Sequence, residues 1–410
     1  MRRFSATISA MRWPILLVLA AATVWAQSSP RVQISHTTES LRGASAVSRE
    51  VAWASGTHGT YLRTTDGGRT WTPAQVPDAS ALDFRAVVAF SADEAFLMSA
   101  GPAEQSRIFH TSDGGQHWQL QFTNTNPKGF FDSMVFWDSK HGVVLGDPVP
   151  DESGKLKFEV LLTDDGHTWR AVPPAQLPPA LEGEGAFAAS NSCIAILPND
   201  WWQVDVSASR DKPSTDAPRQ LDSNLWFATG GRAARVFHSP DGGKTWEVFD
   251  TPITHGPESA GIFSIAFRNS VDGVIAGGDY KQPDRDGPNL AFTHDGGKTW
   301  ELSTIHSQAY FSAVAYDHKA NADARRDTRR KMKAEAKGEK IRVNPDLPQR
   351  LFIVGQDFIF DFRPPNNPQR TSVKKKDGKK ESALKFNAAS AYPEGGALIV
   401  GANGSIAFTP

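Results

Sequence analysis

The chain has 410 residues, of which 39% are hydrophobic, with 44 Lys and Arg against 45 Asp and Glu for a formal net charge of −1. That balance argues against whole-protein attraction to nucleic acid or to an anionic bilayer. One cysteine, Cys193, excludes an internal disulfide, and its apolar surroundings make it read as a small buried hydrophobe.

Met1-Arg2-Arg3 opens the chain and an apolar run follows from Trp13 to Ala26, ending in Val24-Trp25-Ala26, a small-residue cleavage site. The pattern predicts a secretory signal peptide over residues 1–26 and a mature domain over 27–410, with Met11 as an alternative start. The Arg pair is a weak twin-arginine signal. No cysteine flanks the cleavage site, so lipidation is not expected, and export to the periplasm or the extracellular space is. Val32-Gln33-Ile34-Ser35-His36 then reads as a strand with no partner nearby in the chain.

From residue 64 onward a pattern Thr-x-Asp-Gly-Gly-x-x-Trp recurs. Asp66 and Trp71, Asp113 and Trp118, Asp241 and Trp246, and Asp295 and Trp300 mark four copies, and Asp165 and Trp169 mark a fifth that is one residue shorter. Each copy reads strand, tight turn, strand. The Asp accepts hydrogen bonds from its own turn, the glycines permit positive φ, and the Trp opens the outer strand and buries its ring between sheets. We therefore read these Asp residues as structural, against the alternative of five acidic sites. Self-similarity at this period denotes a propeller of four-stranded blades.

A second repeat supplies the blade number. Short apolar strands ending in Gly occur at 51–56, 96–101, 143–146, 226–230, 274–277, 352–355 and 398–401. Each follows another apolar run, such as Ala86–Phe90 or Ile262–Phe267, which we read as the innermost strand. The fold predicted is all-β: a seven-bladed propeller of antiparallel blades. The last blade lacks an outer strand, and the segment at 32–36 is expected to supply it, closing the ring.

Two stretches interrupt blade six. Residues 318–347 carry Arg325, Arg326, Arg329, Arg330 and Lys331, and residues 363–383 carry Lys374, Lys375, Lys376, Lys379 and Lys380. The first joins strands one and two; the second is expected to join strands three and four, which would set both on one face. They are read as solvated loops or as a cationic docking patch for an anionic partner or surface.

On the opposite face, aligned innermost strands begin with Arg42, Arg85, Asp132, Glu184 and Asn387. Asp147 and Asp279 follow the second-strand Gly in blades three and five, and Asp357 lies near the same place in blade six. These residues are expected to ring the channel mouth, where a concave polar site binds ligand or simply holds water. Asp284-Arg285-Asp286-Gly287 resembles a loose calcium loop but lacks a full ligand series, so no metal and no cofactor is expected.

The five turns resemble the Asp-box (BNR) repeat. Asp boxes occur in sialidases, in other glycoside hydrolases and in propellers similar to photosystem II assembly factors. Blade number, export signal and single-domain length resemble the last group. Some bacterial relatives are labelled oxidoreductases, but no Gly-x-Gly-x-x-Gly follows a strand and no haem motif exists here. The resemblance implies a monomeric, exported binding scaffold, an assembly or stability factor with a protein partner in an envelope or membrane complex. The enzymatic alternative is a glycoside hydrolase using Asp132, Glu184, Asp147, Asp279 or Tyr280. Against the sialidase form, Arg-Ile-Pro is absent and no Glu is evidently paired with Tyr280.

Overall fold

The structure, a computed structural model, describes residues 30–197, 223–303, 309–319, 350–362 and 384–410, and the backbone of 369–372, 374–377 and 380–383. Seven antiparallel sheets stand around a central channel. Blade one comprises Leu41–Ala46, Ala52–Gly56, Thr60–Thr64 and Thr72–Gln75. Blade two runs from Phe84–Ala89 to Gln119–Thr123, and blade three from Phe131–Phe136 to Arg170–Ala171. Blade four comprises Ile194–Ile196, Leu225–Ala228, Arg235–Ser239 and Glu247–Asp250. Blades five and six begin at Ala260–Phe267 and Phe311–Tyr316. Blade seven comprises Phe386–Ala391, Ala397–Gly401 and Ser405–Thr409, and its fourth strand is Arg31–Gln33, paired antiparallel with Ser405–Thr409. The N-terminal strand thus closes the ring as Arg31–Gln33, which shares Val32 and Gln33 with the stretch 32–36 expected to do so.

The second strands form the centre of each blade. In 52–56, 95–99, 273–279, 351–355 and 397–401 every residue is buried, because each lies between two neighbouring sheets. Trp53, Phe96, Trp226 and Phe352 are among the largest fully buried side chains and fill the wedges between blades.

Six innermost strands share a register irregularity near their start: Leu41/Gly43, Phe84/Ala86, Phe131/Ser133, Ile262/Ser264, Phe311/Ala313 and Phe386/Ala388. The residue skipped is a bulge, which re-aims its side chain. Arg42, Arg85, Asp132, Phe263, Ser312 and Asn387 hold these positions. In blade four the Ala228 N–H donates to Cys193 O at 2.8 Å, which sets Ser192 at the equivalent place.

Glu184 therefore does not open a blade. Glu184–Gly185 is a two-residue strand paired with Gly230–Gly231, whose Gly230 in turn pairs with Gly261 of blade five. Glycines permit this close stacking: a Cβ on Gly261 would stand 2.3 Å from Gly230 Cα.

The second basic stretch also differs from expectation. Gln369–Ser372 is already the fourth strand of blade six, paired with Phe358–Phe362. Lys374–Asp377 then pairs with Lys380–Ala383 as a separate hairpin on the way to blade seven. By strand alternation that hairpin leaves from the mouth face. Residues 320–349, most of the first stretch, lie outside the described residues, and their flanking strands end on the opposite face.

Candidate functional site

The Asp boxes lie apart on the outer rim, and each closes on itself. In the first, Thr64 Oγ1 donates to Asp66 Oδ1 at 2.9 Å and accepts the Gly68 N–H at 2.9 Å. Thr70 donates from its backbone N to Asp66 Oδ1 at 2.9 Å and from its hydroxyl to Oδ2 at 2.6 Å. Asp113, Asp165, Asp241 and Asp295 repeat the scheme with His117, Thr168, Thr245 and Thr299. These bonds hold Asp66 and Asp113 down at about 2, through Thr70 and His117. The indoles tie blades together: Trp169 Nε1 donates to Gln121 of the preceding blade at 3.1 Å, and Trp118 packs edge-on against Trp53 at 6.3 Å. Trp71, Trp246 and Trp300 donate to Gln33, Gly243 O and Gly297 O.

At the mouth the bulge residues meet the chain's own segment 186–192, which lies across the channel. Ala186 N–H donates to Asp147 Oδ1 at 2.9 Å, and Arg85 Nη1 donates to Ala188 O at 3.0 Å. Ser190 Oγ donates to Ser312 O of blade six at 2.8 Å, and Asn191 Oδ1 accepts the Met134 N–H of blade three at 2.7 Å. Phe187 stacks on Phe263 with centroids 3.9 Å apart. The segment thus touches blades two, three, five and six. No local sequence pattern signalled it, since its partners are distant in the chain.

This cover sets the electrostatics. Asp132 is 1% exposed, and its Oδ2 has no partner among the described residues. Burial, then the neighbouring Asp147, push its carboxyl well above the usual range, opposed by Arg85. Burial raises Asp147 to about 6. Glu159, beside them, is raised by burial although Asn124 donates to it at 2.9 Å. Arg85 also pairs with Asp83 at 2.8 Å. Arg42 is lowered by burial and by Arg85, and its Nε has no partner among the described residues. Half-buried Tyr310 packs on Phe263 at 4.8 Å, beside the exposed Tyr280. The mouth therefore brings together Arg42, Arg85, Asp132 and Asp147, with Asp83, Phe187, Phe263 and Tyr310 added by the structure.

The other candidates are engaged elsewhere. Asn387 donates to Leu41 O at 2.7 Å, tying blade seven to blade one. Asp279 caps its own turn, accepting the Lys281 N–H at 2.9 Å. Glu184 is buried against Arg235, with bonds at 2.9 and 2.5 Å, and accepts the Thr229 hydroxyl at 2.6 Å. Among the described residues no group of three His, Cys, Asp or Glu is arranged to hold a metal ion.

Comparison with known proteins gives the following. The family model "Photosynthesis system II assembly factor YCF48" matches residues 22–129, and the BNR/Asp-box repeat matches residues 291–302. Photosystem II assembly lipoprotein Ycf48 of Synechococcus sp. (strain CC9902) is 24% identical over 262 residues, covering 62% of this chain and 73% of that protein. Photosystem II stability/assembly factor HCF136 of Arabidopsis thaliana, a chloroplastic protein, is 24% identical over 274 residues, covering 60% and 62%. In fold, the chain is similar to the solved structure of YCF48 bound to D1 peptide, with a TM-score of 0.56, 15% identity and coverage of 93% and 95%. The WD40 propeller domain of Doa1 gives a TM-score of 0.53 at 9% identity, covering 92% and 96%.

Proposed function

We propose that this chain, an Asp-box repeat propeller similar to the photosystem II assembly and stability factors, is an exported scaffold that binds a protein segment of a membrane or envelope complex during its assembly. The observation that carries the reading is the extended likeness to those factors, over 62% of this chain for one and 60% for the other. A similar propeller has been solved as YCF48 bound to D1 peptide, which supports a peptide as ligand. The apolar run from Trp13 to Ala26 supports export.

The mouth face is the docking surface of this proposal. Arg42 and Arg85 stand there as like-charged neighbours, and the Lys374–Asp377 hairpin leaves the ring from the same face. A partner presenting carboxylates or backbone carbonyls would meet them, in a salt-sensitive association screened over about 8 Å at physiological ionic strength. The protein acts as a monomer. The hydrolase alternative is not favoured: Glu184 is neutralised by Arg235, and Asp132 is covered by the chain itself. A retaining or inverting pair needs two carboxylates open to substrate.

The test is native electrophoresis of membranes from the source organism with and without the gene. Accumulation of an assembly intermediate of one membrane complex is expected. Unaltered complexes together with glycan hydrolysis by the purified protein would overturn the reading.

A further inference from the structure

Beneath the 186–192 segment the central channel is a blind cavity of about 320 Å³. It opens on the face of the strand one to two connections, where His318 and Pro393 border it. None of the six bulge residues lines it; Ser190 and Asn191 form its floor instead. Its size falls within the lower range of small-molecule pockets. Val88, Val135, Ala266 and Ala315, half-buried residues of four different blades, give it slim apolar wall segments among polar groups of nearly equal extent.

Three polar side chains around this cavity, Ser45, Ser390 and Asn191, are left with hydrogens to donate. Ser45 Oγ accepts the Ala89 N–H at 2.9 Å and Ser390 Oγ accepts the Ala46 N–H at 3.1 Å. Neither hydroxyl donates to a partner among the described residues. Asn191 Oδ1 accepts the Met134 N–H at 2.7 Å, which fixes the amide orientation. Its Nδ2 is then necessarily the free end, a donor with no acceptor among the described residues. Asn191 is held at φ 56°, a left-handed conformation that Asn tolerates better than most residues. The cation at the rim, Arg268, is already paired with Asp272 at 2.8 Å. A carboxylate driven into the channel would therefore be desolvated without a counter-charge.

From this we infer a second ligand site, distinct from the mouth: the channel takes a small, uncharged, apolar molecule bearing a carbonyl acceptor, such as an aliphatic ketone, ester or amide. The apolar body lies against the Val and Ala walls, and the carbonyl accepts from Asn191 Nδ2. The inference is independent of the scaffold reading.

A ligand-detected NMR titration of the intact chain with 2-heptanone, heptane and sodium heptanoate tests it. Saturable binding of 2-heptanone is expected, with heptane and heptanoate at least about tenfold weaker, the worth of one good hydrogen bond. Ala315→Trp, or Val88→Phe if that variant does not fold, fills the channel and abolishes binding. Asn191→Asp keeps the Met134 bond, removes the donors and weakens the ketone about tenfold. No saturable ketone binding, or equal binding by a folded channel-filling variant, overturns the site. Equal affinity for heptane, or no effect of Asn191→Asp, overturns the carbonyl assignment.

Discussion

Gln33 joins the last blade to the first through Trp71: its Oε1 accepts the Trp71 indole N–H at 3.0 Å, while its Nε2 donates to Gly67 O at 3.2 Å. Gln121 makes the same pair of bonds from blade two to blade three, with Trp169 at 3.1 Å and Gly166 O at 2.9 Å. The N-terminal strand therefore does for the ring closure what an ordinary outer strand does between neighbouring blades. Gln33→Ala should lower unfolding free energy by about 1–2 kcal/mol, from two lost bonds. Deletion of residues 31–33 should cost more, because it also exposes the edge of Ser405–Thr409. Denaturant midpoints measure both, and a deletion that unfolds like the intact chain would contradict the closure.

The Asp boxes make stability acid-sensitive. Asp66, Asp113 and Asp295 are held at about 2, below their ordinary 3.8. A depressed carboxyl contributes stability above its unfolded pKa and loses it as pH falls towards the folded value. Asp66→Asn should therefore narrow the loss of stability between pH 4 and 2, seen by unfolding at each pH. An unchanged acid limb would show that the turn does not depend on the charge.

Asp147 has the opposite sign. Its folded value of about 6 exceeds the ordinary 3.8, so its contribution is present at low pH and is lost as pH rises between those values. Asp147→Asn keeps the bond from Ala186 and removes the buried charge. It should stabilise the protein by about 3 kcal/mol at pH 8 and leave it unchanged below pH 4. A gain equal at both pH values would assign the effect to something other than titration.

Arg235→Met leaves the Glu184 carboxylate buried without its partner and should cost about 3–5 kcal/mol. Glu184→Leu combined with Arg235→Met should recover much of that loss. Chemical unfolding of both variants decides it. A mild single variant would mean that Glu184 reaches solvent, and would reopen a catalytic role for it.

Seven blades, five turns and the closing strand were legible because each rests on local chemistry: Gly-ended apolar strands, Asp-Gly turns, and one unpartnered strand at 32–36. Glu184 misled because Glu184-Gly185-Ala186-Phe187-Ala188 has the look of an innermost strand. The true one, Ile194–Ile196, is short and is settled only by its register with Leu225–Phe227. The cover over the mouth was invisible for a related reason: Ala188 and Ser190 bond to residues 103 and 122 positions away. The basic hairpin was misplaced because Gln369–Ser372 carries neither the Asp-Gly turn nor the Trp that marks other outer strands.

Affinity capture from membranes of the source organism, comparing the native protein with Arg42→Glu and Arg85→Glu at low and high salt, tests the scaffold most directly. The account predicts that one membrane-complex subunit is retained at low salt, is released at high salt and is lost in both variants, while their folding is intact. Retention of the same subunit by both folded variants, or of none by the native protein at either salt, would contradict it.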